Sequence, residues 1–274
     1  MSKEQAYNKY LTQYNLNPHK LRTPPPPPDD ILRLLEPYEK QAVWNIPYLS
    51  RPDIIFLNDV ANNIIRKHNI GRDHGIEHAH NVAYFAGVII RHMRITRQLD
   101  WSDEQSKLAV VTAFLHDCVD EKFGAEVNIS ALKQAIQKKF GFGDYEVKLF
   151  EYTVTNMSFS KRRKNRSSGR PEFNTADNTE VQYCQIVSDA DLLDAYNPER
   201  ANVYQRGVFG KIDEPPEVIN YLVYSWNRTI LEKRVMLYLE HFICTDAARQ
   251  IALPLHDALA DYVHHFQDYD LMDY

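Results

Sequence analysis

The chain has 274 residues, of which 44% are hydrophobic and 25% charged, and it carries a formal net charge of -5. These values fit one large globular domain with appendages, near the upper size for a single hydrophobic core. They exclude a whole-molecule attraction to nucleic acid or anionic lipid, and no run approaches the roughly 18 apolar residues that cross a bilayer.

The start, MSKEQAYNKYLTQYN, lacks the apolar core and small-residue cleavage site of a secretory signal, so the expected location is cytoplasmic. Five consecutive prolines in TPPPPPDD, residues 23–30, force an extended conformation and mark a tail or spacer. A run of this kind also docks onto aromatic grooves of partner modules. Residues 1–52 are therefore expected to form an N-terminal extension, 53–266 the domain, and 267–274 a tail. From about residue 53 the pattern turns helical: Val60, Ile64 and Ile65 fall at three- and four-residue spacing. NVAYFAGVIIRHM continues with a broader apolar face. The next helix opens at Ser102, with Gln105 three residues on in a capping-box pattern, and runs through AVVTAFLHDCVDEKF. Further helices are expected at 128–140, closed by Gly141, and at 144–157, 188–196, 216–240 and 254–266. One long irregular stretch remains at about 158–184, the kind of segment that is functional or disordered. Alternating strand patterns are scarce, so the fold is expected to be all-α.

Three cysteines, Cys118, Cys184 and Cys244, are too few and too scattered for a disulfide framework or a cysteine zinc site. The histidines and aspartates are more telling. His74, His78 and His80 crowd into RDHGIEHAHNV, His116 precedes Asp117, and VSDADLLDAY supplies Asp189, Asp191 and Asp194. Each cluster is flanked by apolar residues, which directs it into an interior where unpaired carboxylates are disfavoured. A divalent cation resolves that cost, and a mixed imidazole and carboxylate set suits manganese, iron, cobalt or zinc.

The succession EHAHNVA, FLHDCVDEK and SDADLLDA resembles the HD-domain superfamily of metal-dependent phosphohydrolases, and within it the small stand-alone bacterial hydrolases. The likeness extends to NMSFSK at 156–161 and more loosely to HFICTDAARQIALPLHDALADYVHHF, so it covers about residues 53–266. It implies an HD-type helical bundle whose metal ligands are His78, His116, Asp117 and Asp191. Dinuclear relatives use extra histidines between the His-Asp pair and the last aspartate. Residues 118–190 contain none, which favours one divalent ion with positions open for water and a substrate oxygen.

On a helix, Asp120 and Glu121 would lie one turn after His116 and Asp117, which makes both candidates to take or relay a proton from a metal-activated water. The branch that hydrolyses guanosine tetraphosphate has a paired acid at this offset, and the order here is reversed. The competing reading is a solvated helix end in which these acids pair with Lys122. His74 stands one turn before His78 and is a candidate to orient water or phosphate, or to hydrogen-bond a ligand. His80 points about 200° away round the helix and is expected to be structural. Asp189 and Asp194 are expected to support or cap, with Ser188 as a helix cap. His256-Asp257 repeats the dipeptide without its context and is not expected to bind metal.

The basic run SKRRKNRSSGR places Lys161, Arg162, Arg163, Lys164, Arg166 and Arg170 on the irregular stretch. Blandly this is a solvated segment. Its position after NMSFS favours a lid that neutralises phosphate charges, and Lys122 is a further candidate to bind the substrate. Phe159, Phe173, Tyr183 and Tyr196 are candidates to stack a base. The expected partner is therefore a phosphorylated small molecule, a nucleotide foremost, with no membrane and little case for nucleic acid. The alternative is a non-catalytic nucleotide sensor or protein-binding module.

Overall fold

The computed structural model describes residues 33–34, 43–120, 123–124, 128–173, 175–198, 200, 219 and 229–271. The polyproline run, Glu121, Lys122 and, of the expected helix at 216–240, residues 216–218 and 220–228 lie outside these residues.

Helix α1, Arg51–His68, starts where the Ser50 side chain accepts from the Asp53 amide while the Asp53 carboxylate accepts from the Ser50 amide, and it stops at Asn69 in the left-handed conformation. A 3-10 turn over Arg72–His74 leads into α2, Ile76–Ile95, and α3 follows over Asp103–Leu115. The expected cap is present: Ser102 Oγ accepts from the Gln105 amide at 3.1 Å and Gln105 Oε1 accepts from the Ser102 amide at 2.9 Å. A second 3-10 turn spans His116–Val119. Then come α4, Ile129–Phe140, ended by Gly141 at φ 74°, and α5, Asp144–Asn156.

Beyond α5 the structure departs from the expected loop. Helix α6 occupies Phe159–Ser167, capped by Ser158, and α7 runs over Asn178–Asp194 from an Asp177 cap. Ser188 is thus an interior residue of α7 rather than a cap. A 3-10 turn at Val235–Leu237, the short α8 at Tyr238–His241 and the long α9 at Asp246–Leu271 complete the described chain. No strand occurs among the described residues, and the fold is all-α.

Helix α2 is the axis. Val82, Ala83, Ala86, Ile89 and Ile90 are fully enclosed, and α2 packs most extensively on α7 and α3. A helix that is apolar nearly all round belongs in the middle of a bundle. Helices α5 and α9 close the far sides of α7. Ile46, within the segment expected to be an extension, is buried in this core.

Close packing at Pro47 requires Gly87, since a Cβ there would fall 2.8–2.9 Å from three atoms of the proline ring. Gly87→Ala is expected to destabilise the protein by about 1–2 kcal/mol in urea unfolding: overpacking against a rigid ring outweighs the gain of ~1 kcal/mol in helix propensity.

Candidate metal centre

Three segments bring their polar residues to one place in this bundle. The 3-10 turn and the first turn of α2 put His74 and His78 on successive levels, with ring centroids 5.7 Å apart. At the end of α3, Leu115 takes φ -101° and ψ 4°, the bridge region where helical geometry gives way, and the chain tightens into the turn that carries His116 and Asp117. The His-Asp pair thus terminates its helix instead of sitting in the middle of one. Asp191 and Asp194 come from the last turn of α7.

His78 Nε2 lies at the hub. It is 3.2 Å from His116 Nε2, 3.3 Å from Asp117 Oδ2 and 3.4 Å from Asp191 Oδ1. His116 Nε2 is 3.4 Å from Asp117 Oδ2 and 4.0 Å from Asp191 Oδ1. Two ligand atoms each about 2.1 Å from a common cation, at a tetrahedral angle, are separated by about 3.4 Å. The spacing therefore suits one ion.

Hydrogen bonding on the opposite edges of the rings points the same way. His78 Nδ1 donates to Asp194 Oδ2 at 2.7 Å, and His116 Nδ1 donates to the Ala113 carbonyl at 2.7 Å. With both Nδ1 atoms committed as donors, neutral rings turn two Nε2 lone pairs toward each other. A proton or a cation between them, or a donor to one of the two atoms, relieves that repulsion.

The charges agree. Burial by itself would lower the His116 pKa, but the Asp117 and Asp191 carboxylates outweigh it and raise the value to about 9. For Asp191, burial works upward and is outweighed by Arg200, His116 and His78, leaving it at about 2. Asp117 is likewise held well below the ordinary carboxylate range, against its burial, by His116 and His74. The pocket is built around anionic oxygens that require a positive partner.

His74 Nδ1 bonds Asp117 Oδ2 at 2.8 Å, and His74, His78 and Asp117 form a second candidate group that shares His78 with the group His78, His116 and Asp191. The two groups share His78, and Asp117 Oδ2 lies 3.3 Å from His78 Nε2 and 3.4 Å from His116 Nε2, which links the one to the other. Two residues outside the sequence reading also belong to it. Asn81 donates to Asp194 Oδ1 at 2.9 Å, and its position three residues after His78 on α2 was the available signal. Arg200 donates to His78 Nε2 at 3.1 Å and to Asp191 Oδ1 at 3.5 Å; nothing in its sequence context marks it.

Other expected residues are placed differently. Asp120 is extended, at φ -72° and ψ 127°, so the one-turn helical offset from His116 does not hold. Glu121 and Lys122 are outside the described residues. His80 is buried and bonds Asn58 Oδ1 at 2.6 Å, as a structural histidine does. His256 lies within α9, where its Nδ1 is 3.4 Å from the Tyr196 hydroxyl.

The basic run is helical, and Arg162 is fully buried instead of lining a lid. Its Nε donates to Glu172 Oε1 at 2.6 Å, and its guanidinium also reaches Ser188 Oγ, the Phe242 carbonyl and Cys244 Sγ. Arg166 is exposed, bonds the His241 carbonyl and covers the Phe242 ring. Lys161 donates to the Thr155 carbonyl at 2.7 Å, and Arg163 and Arg170 face solvent. Among the expected stacking residues, Phe173, Tyr183 and Tyr196 are buried; Tyr183 already stacks on Trp101 at 4.2 Å. Phe159 packs edge-on to Tyr238 and Phe242.

No family model matches this chain, and no curated protein matches it. Among solved structures, the chain is similar to a structural-genomics target from Lactobacillus plantarum, with a TM-score of 0.52 and 19% identity over 80% of this chain and 98% of that one. At that identity the likeness concerns the fold alone. Among the described residues, no helix is long and apolar enough to cross a membrane.

Proposed function

We propose that this protein is a metal-dependent phosphohydrolase of the HD type, acting on a phosphorylated small molecule, a nucleotide foremost. The observation that carries the reading is the convergence of His78 Nε2, His116 Nε2, Asp117 Oδ2 and Asp191 Oδ1, with both imidazoles locked from behind by Asp194 and Ala113. Those four side chains would hold one divalent ion of manganese, iron, cobalt or zinc. Such an ion supplies Lewis acidity toward water and toward a phosphoryl oxygen.

The chain's own groups do the rest. Asp194 and the Ala113 carbonyl fix the tautomer of each ring, leaving Nε2 as the donor atom. His74 Nδ1 hydrogen-bonds Asp117 Oδ2 and holds that carboxylate in place. Asp191, about a quarter exposed, marks the side from which substrate enters. Asp120, which follows the His-Asp pair in extended conformation, and Glu121, its neighbour in sequence, remain the candidates for accepting the proton released from water.

The test is metal analysis of the purified protein, followed by phosphate release from nucleoside mono-, di- and triphosphates, guanosine tetraphosphate and cyclic nucleotides with and without manganese. Stoichiometric metal with manganese-dependent release supports the enzyme. Metal and nucleotide binding without release would identify a sensor instead.

A pH experiment reads the same pocket without substrate. In chelator-treated protein the raised His116 pKa means that the charged ring stabilises the fold fully below about pH 6.5, and that this contribution is lost as pH rises through about 9. The thermal midpoint of chelated protein is therefore expected to fall between pH 6.5 and 9, and His116→Gln is expected to flatten that fall.

A further inference from the structure

Arg200 stands six residues beyond Asp194 and leans across the candidate ligands with its side chain 17% exposed. Its Nη2 donates to His78 Nε2 at 3.1 Å, both Nη atoms lie 3.5 Å from Asp191 Oδ1, and Nη1 is 3.3 Å from Asp194 Oδ2. We infer that Arg200 is a displaceable counter-cation: it neutralises the ligand cluster until a divalent ion enters, and then anchors a phosphoryl oxyanion beside that ion. The inference rests on the metal reading of the same pocket.

Exclusivity is set by His78. Its Nδ1 proton is committed to Asp194, so Nε2 has one lone pair to offer. That pair accepts from Arg200 or binds a cation, and it cannot do both. The hold on Asp191 is at the long end of hydrogen bonding and gives way readily. Without either cation, only the charged His116 ring would offset Asp117, Asp191 and Asp194, leaving the enclosed pocket with excess negative charge, which is disfavoured.

Displacement need not expel the arginine. Asp194 lies behind His78 and is not among the four ligands, so its contact with Nη1 does not compete with an ion. The guanidinium stays tethered there and turns its Nη2 edge away from His78. This edge then points to the side of Asp191, the more exposed of the carboxylates, where substrate must arrive. A planar guanidinium matches two phosphoryl oxygens, and it stays charged at any working pH.

The experiment compares metal-stripped wild type, Arg200→Met, Arg200→Lys and His116→Ala by calorimetric titration with manganese, then titrates orthophosphate into the manganese-loaded proteins. Arg200→Met is expected to bind manganese about five- to a hundredfold tighter than wild type, because the competitor is gone. It should also bind orthophosphate about tenfold or more weakly. Arg200→Lys keeps the charge without the fork. It is expected to stay near wild type for manganese yet lose orthophosphate affinity, so it carries the test should the methionine variant fail to fold. Unchanged or weaker manganese binding by Arg200→Met, or unchanged orthophosphate binding by either variant, overturns the inference. Should wild type bind manganese and His116→Ala lose it while Arg200→Met matches wild type, the metal reading stands and the role of Arg200 alone falls. Should wild type bind no manganese, both fall.

Discussion

Arg162→Met is expected to lower the unfolding free energy by about 3 kcal/mol or more in chemical denaturation, with binding of a phosphorylated ligand by the surviving folded protein little changed. The side chain is fully buried and holds Glu172, Ser188, the Phe242 carbonyl and Cys244 together, tying α6 and α7 to the segment before α9. Methionine fills similar space but leaves the carbonyl and the Glu172 carboxylate without their donor, and stranded buried acceptors are costly. Lysine would not restore it, since one ammonium cannot reach partners arranged around a planar fork. A phosphate-binding lid would behave oppositely: stability would hold and ligand affinity would fall. The measurement therefore separates the two roles that the basic run allows.

The second large effect concerns the ligands themselves. His116→Ala or Asp191→Asn is expected to abolish stoichiometric metal uptake and manganese-dependent phosphate release, whereas Asp194→Asn should retain the ion with an affinity weakened by about ten- to a hundredfold. The difference follows from position. His116 and Asp191 present atoms toward the shared centre, but Asp194 acts through the far nitrogen of His78, and groups of that kind tune a site rather than constitute it. Elemental analysis after dialysis distinguishes these outcomes. Equal metal content in all three variants would remove the centre from the mechanism.

Much of this arrangement was legible in the residue order, because its signals are local. The reciprocal Ser102 and Gln105 cap and the Gly141 stop are short-range chemistry, and both occur where the pattern placed them. The three clusters that supply the candidate ligands were legible as phrases with apolar flanks, and the choice of four among them came from the HD resemblance. What was missed depends on contacts between distant segments or on helices without an apolar stripe. Helix α6 is strongly polar, so periodicity could not reveal it, although Ser158 accepting from the Lys161 amide is an ordinary cap. Pro254 suggested a helix start, yet α9 begins at Asp246, where Thr245 caps the Ala248 amide while Asp189 receives the Thr245 amide and hydroxyl. A tertiary carboxylate set that boundary. Arg200 escaped notice because a single arginine after a turn has no pattern, and its meaning lies wholly in what it touches.

One stretch of α7 carries two unrelated duties. Asp189 grips the start of α9, and Asp191 and Asp194, about 200° and 140° further round in the same sense, serve the His78 pocket. Length is therefore as constrained here as identity. A single alanine inserted between Asp189 and Asp191 would turn everything after it by about 100° and advance it by about 1.5 Å, so no sliding of the helix could restore both grips at once. Substitutions along this stretch can be graded, but insertions and deletions have no mild form.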